Sequence, residues 1–155
     1  MAVSIAQAGL QDVAPIAELF NLYRVFYQQQ SNPELARQFI EQRLSNKESV
    51  IFYARGGKGQ YLGFTQLYPN FSSVSAQRTW VLNDLYVLEQ ARGAGVGTLL
   101  LNRAKEHAVA TGAKGIALET AESNIQAQKL YESLGYQKSS GFFGYFLTLN
   151  ESRQA

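Results

Sequence analysis

After Val87 the chain runs through Gln90-Ala91-Arg92-Gly93-Ala94-Gly95-Val96-Gly97, a glycine-rich turn set between two segments of different periodicity. Before it, Arg78 to Val87 is rich in strong β formers, Thr79, Trp80, Val81, Tyr86 and Val87, and predicts a long strand. After it, Val96 to Thr111 carries a helical pattern closed by Gly112. A strand turned directly into a helix gives this part of the chain α/β character. The turn is also an anion site. Glycines let the backbone approach a ligand, the first helical N–H groups have no internal partner, and the helix dipole adds roughly half a positive charge. Arg92 at the edge adds a cation whose fork suits a pyrophosphate oxygen. Spacing excludes two common phosphate binders. A triphosphate loop requires Gly-Lys-Ser/Thr, whereas Gly97 is followed by Thr98 and Leu99. A dinucleotide fingerprint requires its third glycine where Thr98 stands.

The remaining elements are read outward from this turn. Ala2 to Ala8 predicts a first strand, and Asp12 is placed to cap a helix to about Tyr27, with Val13, Ile16, Leu19, Phe20, Tyr23 and Tyr27 on one face. Asn32-Pro33-Glu34 starts a second helix that carries Leu35, Phe39, Ile40 and Leu44 to the core. The period then becomes alternating. Ser49 to Ala54 and Gln60 to Tyr68 form a hairpin around the Arg55 to Gly59 turn, the second strand ending at Pro69-Asn70. Phe71 to Gln77 reads as a polar loop, so that Arg78 to Val87 completes a three-strand meander. Beyond the glycine turn and its helix come a buried strand, Gly115 to Thr120, and a helix from Ile125 to Leu134 closed by Gly135. Two last strands, near Tyr136 and from Phe142 to Leu149, are expected to complete a mixed sheet. The expected organisation is a single domain over 1–150 with a frayed tail at 151–155.

Composition narrows the chemistry. The 155 residues include no cysteine and a single histidine, His107, so a thiolate nucleophile and a cysteine-ligated metal are excluded and no metal is expected. A net charge of +2 without a basic tract gives no reason to expect nucleic acid as a partner. The amino terminus lacks a secretory pattern, and no apolar run approaches the ~20 residues of a membrane helix, so a cytoplasmic location without membrane attachment is expected.

What fits the turn is Arg-x-x-Gly-x-Gly, read as Arg92, Gly95 and Gly97, after a strand ending Asp84-Leu85-Tyr86-Val87. It resembles the coenzyme A pyrophosphate loop of the GNAT superfamily of N-acetyltransferases. Downstream, Asn124-x-x-Ala127-x-x-Leu130-Tyr131-x-x-x-Gly135-Tyr136 resembles that family's second hallmark, and the order of upstream elements matches its architecture. The resemblance implies a central mixed, mostly antiparallel sheet flanked by about four helices, with acetyl-CoA as cosubstrate. It places the pyrophosphate on Arg92, Gly93, Ala94, Gly95, Val96, Gly97 and Thr98, and the pantetheine arm along the main chain of Leu85, Tyr86 and Val87. It gives Asn124 to the coenzyme or to a helix cap, with Ser123 and Gln126 as a rival capping box. Tyr131 becomes the acid that protonates the coenzyme sulfur; the alternative is a core aromatic beside Leu130 and Leu134. Dimers are common in the family, and a homodimer is expected on that ground.

Acetyl transfer to an amine also needs a base, since an amine of pKa near 10.4 is charged at neutral pH. Glu119, at the end of the strand Ile116-Ala117-Leu118, matches the base of bacterial N-terminal acetyltransferases of ribosomal proteins, and otherwise reads as a solvent-facing strand end. Asp84 is the other candidate. The segment Trp80 to Val87 resembles a strand of the diamine acetyltransferases, except that Asn83 stands where a glutamate is usual. Trp80, Tyr61, Tyr68 and Phe71 are candidates for lining an acceptor pocket. A small amine or polyamine is the expected acceptor, with a protein amino group as alternative and a non-catalytic acyl-CoA sensor as the rival of another class.

Overall fold

A computed structural model describes residues 2–150; the tail expected to fray, 151–155, lies outside the described residues. The chain divides into two compact units, one running to Glu119 and one beginning at Thr120. The first holds β1 (Ser4–Gln7), α1 (Val13–Phe26), α2 (Pro33–Ser45), β2 (Val50–Arg55), β3 (Tyr61–Ser72), β4 (Gln77–Val87), α3 (Val96–Ala110) and β5 (Ile116–Ala117). The second holds α4 (Ile125–Ser133). The strands form one sheet in the order β1-β2-β3-β4-β5, antiparallel except for the parallel pair β4–β5.

Alternation along β2 separates the two faces of this sheet. Ile51 and Tyr53, with Phe64 of β3, pack against Ile16, Leu19 and Phe20 of α1 and Ala36 and Ile40 of α2. Phe52, between them, faces α3, where its ring meets His107 with centroids 5.5 Å apart. Most of these side chains are fully buried, each contributing about 1.5–3 kcal/mol of transfer free energy. The helix starts follow local chemistry. Asn32 accepts the Leu35 N–H at 3.1 Å ahead of Pro33. Asp12 does not cap α1; its carboxylate accepts the Gly9 N–H at 2.8 Å and the Tyr61 hydroxyl at 2.6 Å, pinning the turn after β1 to β3.

Three expectations are corrected. β3 does not stop at Pro69-Asn70 but runs to Ser72, leaving a short turn before β4 in place of a long loop. Pro69 is tolerated because its partner Trp80 sends its N–H to Gly115 O on the far side at 3.1 Å, so the pair needs no donor from the proline. The Gly115–Thr120 strand shrinks to Ile116–Ala117 and is not buried, Ala117 being exposed. The two last strands are absent from the sheet: Tyr136 and residues 142–149 form no strand, and among the described residues the backbone from 137 to 150 finds no ladder partner. High β propensity does not make a strand without a neighbouring edge.

The feature that positions the site is a bulge in the β3–β4 pair. Gln66 faces Asp84 while Leu67 faces Leu82, so Asn83 is an extra residue on β4. The insertion flips the alternation. Trp80 and Leu82 lie on the α3 face, whereas Asp84 and Tyr86 lie on the α1–α2 face with Gln66 and Phe64.

Candidate active site

In the loop after β4, Gly93 and Gly95 take φ of 82° and 81°, a conformation that L side chains rarely adopt. A Cβ at either would meet nothing within 4 Å, so the space over the loop is open. The first helical bond of α3 runs from the Leu99 N–H to Gly95 O at 3.1 Å. The N–H groups of residues 93–98 have no hydrogen-bond partner among the described residues. Successive unpartnered donors at the start of a 15-residue helix are the kind of place where an anion is stabilised. Beside it, β5 pairs with β4 only at Trp80 and Val81, which leaves the edge of β4 beyond Val81 without a strand neighbour among the described residues.

Toward the middle of β4, Asp84 is 2% exposed. Its carboxylate accepts from Asn83 Nδ2 at 2.8 Å and from Gln66 Nε2, and the Oε1 of Gln66 is in turn held by Ser49 Oγ at 2.8 Å. Burial pushes the Asp84 carboxyl above its ordinary value, against the opposing hydrogen bonds from Asn83, Gln66 and Tyr23. The Tyr23 hydroxyl also donates to Asn83 O at 3.1 Å. Tyr68 is pushed up to about 12, first by burial and then by the Asp84 charge.

Arg92, at the start of the loop, is held by the end of β4 and by aromatic rings. Its Nε donates to Val87 O at 2.8 Å, and the guanidinium lies 5.5 Å from the Tyr86 ring centroid and 5.8 Å from that of Phe26. These rings continue into Tyr23 and Tyr27 through edge-on contacts of 6.4 Å (Tyr23–Tyr86) and 5.2 Å (Phe26–Tyr27).

In the second unit, Asn124 Oδ1 accepts the Ala127 N–H at 3.2 Å, so Asn124 itself caps α4. Tyr131 is half-buried with its ring edge-on to Tyr136 at 5.8 Å. Gly135, at φ 97°, follows the end of the helix.

The sequence profile of the acetyltransferase (GNAT) family matches residues 16–136. The chain belongs to the GNAT family of acetyltransferases. It is 48% identical over 147 residues to YhfO, an uncharacterised N-acetyltransferase of Bacillus subtilis, covering 95% of this chain and 98% of that one. It is 31% identical over 135 residues to an acetyltransferase of Haemophilus influenzae, covering 87% and 90%. A crystal structure of an acetyltransferase matches the fold with TM-score 0.90 at 44% identity, covering 95% of this chain and 98% of that one. As a GNAT enzyme this chain is an acetyl-CoA-dependent acetyltransferase.

Against that family pattern, the expected residues separate. Leu85, Tyr86 and Val87 lie on the stretch of β4 beyond its pairing with β5 and residues 93–98 in the loop of unpartnered N–H groups, while Asp84 is drawn into a buried polar cluster. Glu119 is exposed, beyond the end of β5. Of the expected pocket aromatics, Tyr68 alone is coupled to Asp84: Tyr61 is held by Asp12, Trp80 lies buried on the α3 face donating to Thr111 Oγ1 at 2.9 Å, and Phe71 is 66% exposed beneath Arg78. Sequence reasoning missed Gln66, Ser49 and Tyr23 as members of the cluster; the only signal was a polar residue inside the otherwise apolar run of β3. His107 sits between Phe52 and Trp80, and burial, then Arg103 and Arg78, hold its imidazole below the ordinary value. Among the described residues no group of His, Cys, Asp and Glu is arranged to hold a metal.

Proposed function

We propose that the chain, working as one domain over 1–150, moves the acetyl group of acetyl-CoA directly onto a primary amine of a small molecule. The observation that supports this is the pairing, on one strand, of a buried carboxylate at Asp84 with a loop of unpartnered N–H groups after Val87. The coenzyme supplies the activated thioester, and the rest falls to the chain's own groups. Residues 93–98 hold the diphosphate through backbone N–H groups, the free edge of β4 at Leu85 to Val87 takes the pantetheine amides as an added strand, and Asn124 keeps its Nδ2 for the coenzyme.

Asp84 receives the acceptor's ammonium and takes its proton. A carboxyl lifted by burial is a stronger base than a surface aspartate, and bringing a cation beside it stabilises the ionised form on binding. The amine nitrogen then attacks the thioester carbon; the C–N bond forms, the C–S bond breaks, Tyr131 protonates the departing thiolate, and the second proton shed by the nitrogen as it becomes an amide restores the phenol. A phenol, with an ordinary pKa near 10, is protonated at pH 7 and suits that role. With no cysteine in the chain, a route through acetyl-cysteine is closed.

Tyr131→Phe tests the assignment in a thiol-release assay. Turnover is expected to fall by about 10²-fold or more while acetyl-CoA affinity is nearly kept. Unchanged turnover would remove Tyr131 from the mechanism.

A further inference from the structure

We infer that the acceptor's proton reaches Asp84 through Tyr23, whose hydroxyl stands between the bound amine and the buried carboxylate. The inference deepens the proposed function and rests on its reading of Asp84 as the base.

A carboxylate that is 2% exposed is poorly placed to meet an ammonium by itself. Both of its oxygens are already engaged, Oδ1 by Asn83 Nδ2 at 2.8 Å and Oδ2 by Gln66 Nε2. Beyond Gln66 the cluster leads inward to Ser49 Oγ, and both of these residues are buried. The opposite side leads out. Asn83 is exposed, and the half-buried Tyr23 donates its hydroxyl to Asn83 O at 3.1 Å and also bonds the Asp84 carboxylate. These two residues form the rim of the cluster, and they differ in what they do with a proton. The Asn83 amide donates hydrogen bonds without giving up a proton at neutral pH, whereas a hydroxyl takes a proton on its oxygen as it passes its own on. Tyr68 feels the Asp84 charge but makes no hydrogen bond to the carboxylate among the described residues.

The hydroxyl is held in place by packing. The Tyr23 ring, carried by α1, meets Phe64 of β3 edge-on at 6.0 Å and Tyr86 of β4 at 6.4 Å, with Phe20 stacked 6.2 Å away. The bulge completes the geometry. Asn83, which has no partner on β3, gives its carbonyl oxygen to Tyr23, and the same extra residue sends Asp84 to the α1 face. One phenolic proton therefore has two acceptors. With Asp84 ionised, the charged oxygen holds the O–H more strongly; once Asp84 is protonated, the O–H turns to Asn83 O. In the transfer an ammonium N–H bond breaks as an O–H bond forms on Tyr23, and the phenolic O–H bond breaks as one forms on Asp84. Tyr23 ends as it began, Asp84 carries the proton, and the amine is left neutral with its lone pair free to attack.

The test separates amines by whether they arrive charged. Thiol release is followed at neutral pH for the wild type, Tyr23→Phe and Asp84→Asn. The cationic acceptors are ethylamine, butylamine and 2-phenylethylamine; the neutral ones are 2,2,2-trifluoroethylamine and O-methylhydroxylamine, which have no first proton to lose. Tyr23→Phe keeps the ring and its contacts, and calorimetry checks that acetyl-CoA affinity is kept. The ratio between the two groups of amines is read within one protein, so a change in the amount of folded enzyme cancels. Tyr23→Phe is expected to lose at least about tenfold in kcat on the cationic amines and no more than about threefold on the neutral ones, and Asp84→Asn to show the same selectivity. A Tyr23→Phe loss of equal size on both groups, or no loss on either, would overturn the inference, and with Asp84→Asn still selective the reading of Asp84 would stand. A Tyr23→Phe enzyme that binds acetyl-CoA weakly would also overturn it, for then the hydroxyl serves the coenzyme. An Asp84→Asn loss of equal size on both groups, or release by the wild type on no amine of the panel, would overturn the proposed function and the inference with it.

Discussion

At the loop after β4 the polar groups left without a partner among the described residues are the backbone N–H groups of residues 93–98, beside glycines at positive φ with open space above them. At the bulge near the end of that strand the polar groups are side chains bonded to one another, Asp84, Gln66 and Asn83, with Asp84 and Gln66 sealed from water. The first arrangement depends on backbone conformation and hardly on side-chain identity. The second depends on side-chain identity throughout, because a buried polar group with a missing partner costs about 1–3 kcal/mol. The two regions should therefore fail separately, and substitutions can show whether they do.

The largest effect is expected from Gly95→Glu. A residue with a Cβ is strained at φ 81° by about 1–2 kcal/mol, and the new carboxylate opposes a diphosphate. Acetyl-CoA affinity should fall by more than about 10²-fold in calorimetry while the fold, read by circular dichroism, is kept.

Asp84→Asn comes next and should do the reverse. Turnover is expected to fall by about 10²–10⁴-fold with acetyl-CoA affinity unchanged. The same change should remove a pH dependence of stability. The Asp84 carboxyl is raised in the folded state, so its contribution to stability is fully present below the ordinary aspartate pKa and is lost as pH rises through the folded value. An amide at this position does not ionise and escapes that loss, while it sets a donor against Asn83 or Gln66 at every pH, so the melting temperature of the variant should rise relative to the wild type's between acid and pH 7–8.

Gln66→Met removes one of the hydrogen bonds that oppose the effect of burial on Asp84. The acid limb of the pH–rate profile should move to higher pH, by about a unit or less, with acetyl-CoA affinity intact. An unmoved limb would detach Gln66 from the chemistry and leave it a structural partner of Ser49.

The smallest effect belongs to the opposite face of the sheet, where His107 lies between Phe52 and Trp80 with its Nε2 buried and without a partner. Its folded pKa is lowered, so stability is fully present above the ordinary histidine value near 6.5 and is lost as pH falls through and below it. His107→Phe should flatten the dependence of melting temperature on pH between about 7 and 5, and leave the turnover profile unchanged.

The loop was legible in the sequence and the bulge was not, for a physical reason. A glycine turn is local: Gly93 and Gly95 map directly onto positive φ, as the caps at Asn32 and Asn124 map onto helix starts. A bulge is a property of two strands, and one strand read alone gives no sign of it. Strict alternation puts Trp80, Leu82, Asp84 and Tyr86 on one face; the extra residue opposite the Gln66–Leu67 step sends the last two to the other. The same distinction explains the remaining departures. Asp12 has the residue type of a cap but finds better partners in Gly9 and Tyr61, the latter 49 positions away in sequence. Phe142 to Leu149 has the composition of a strand and, among the described residues, no ladder partner. Pro69 looks like a strand end until its partner's N–H is seen to point away. Glu119 carries a base by resemblance but none of the burial that would tune one.

The central claim is that coenzyme binding resides in the loop and amine chemistry at the bulge. Calorimetric titration of acetyl-CoA into the wild type, Asp84→Asn and Gly95→Glu, side by side, tests it most directly. The account predicts matching affinities for the wild type and Asp84→Asn, and no saturable binding to Gly95→Glu. Binding retained by Gly95→Glu, or lost in a folded Asp84→Asn, would contradict it.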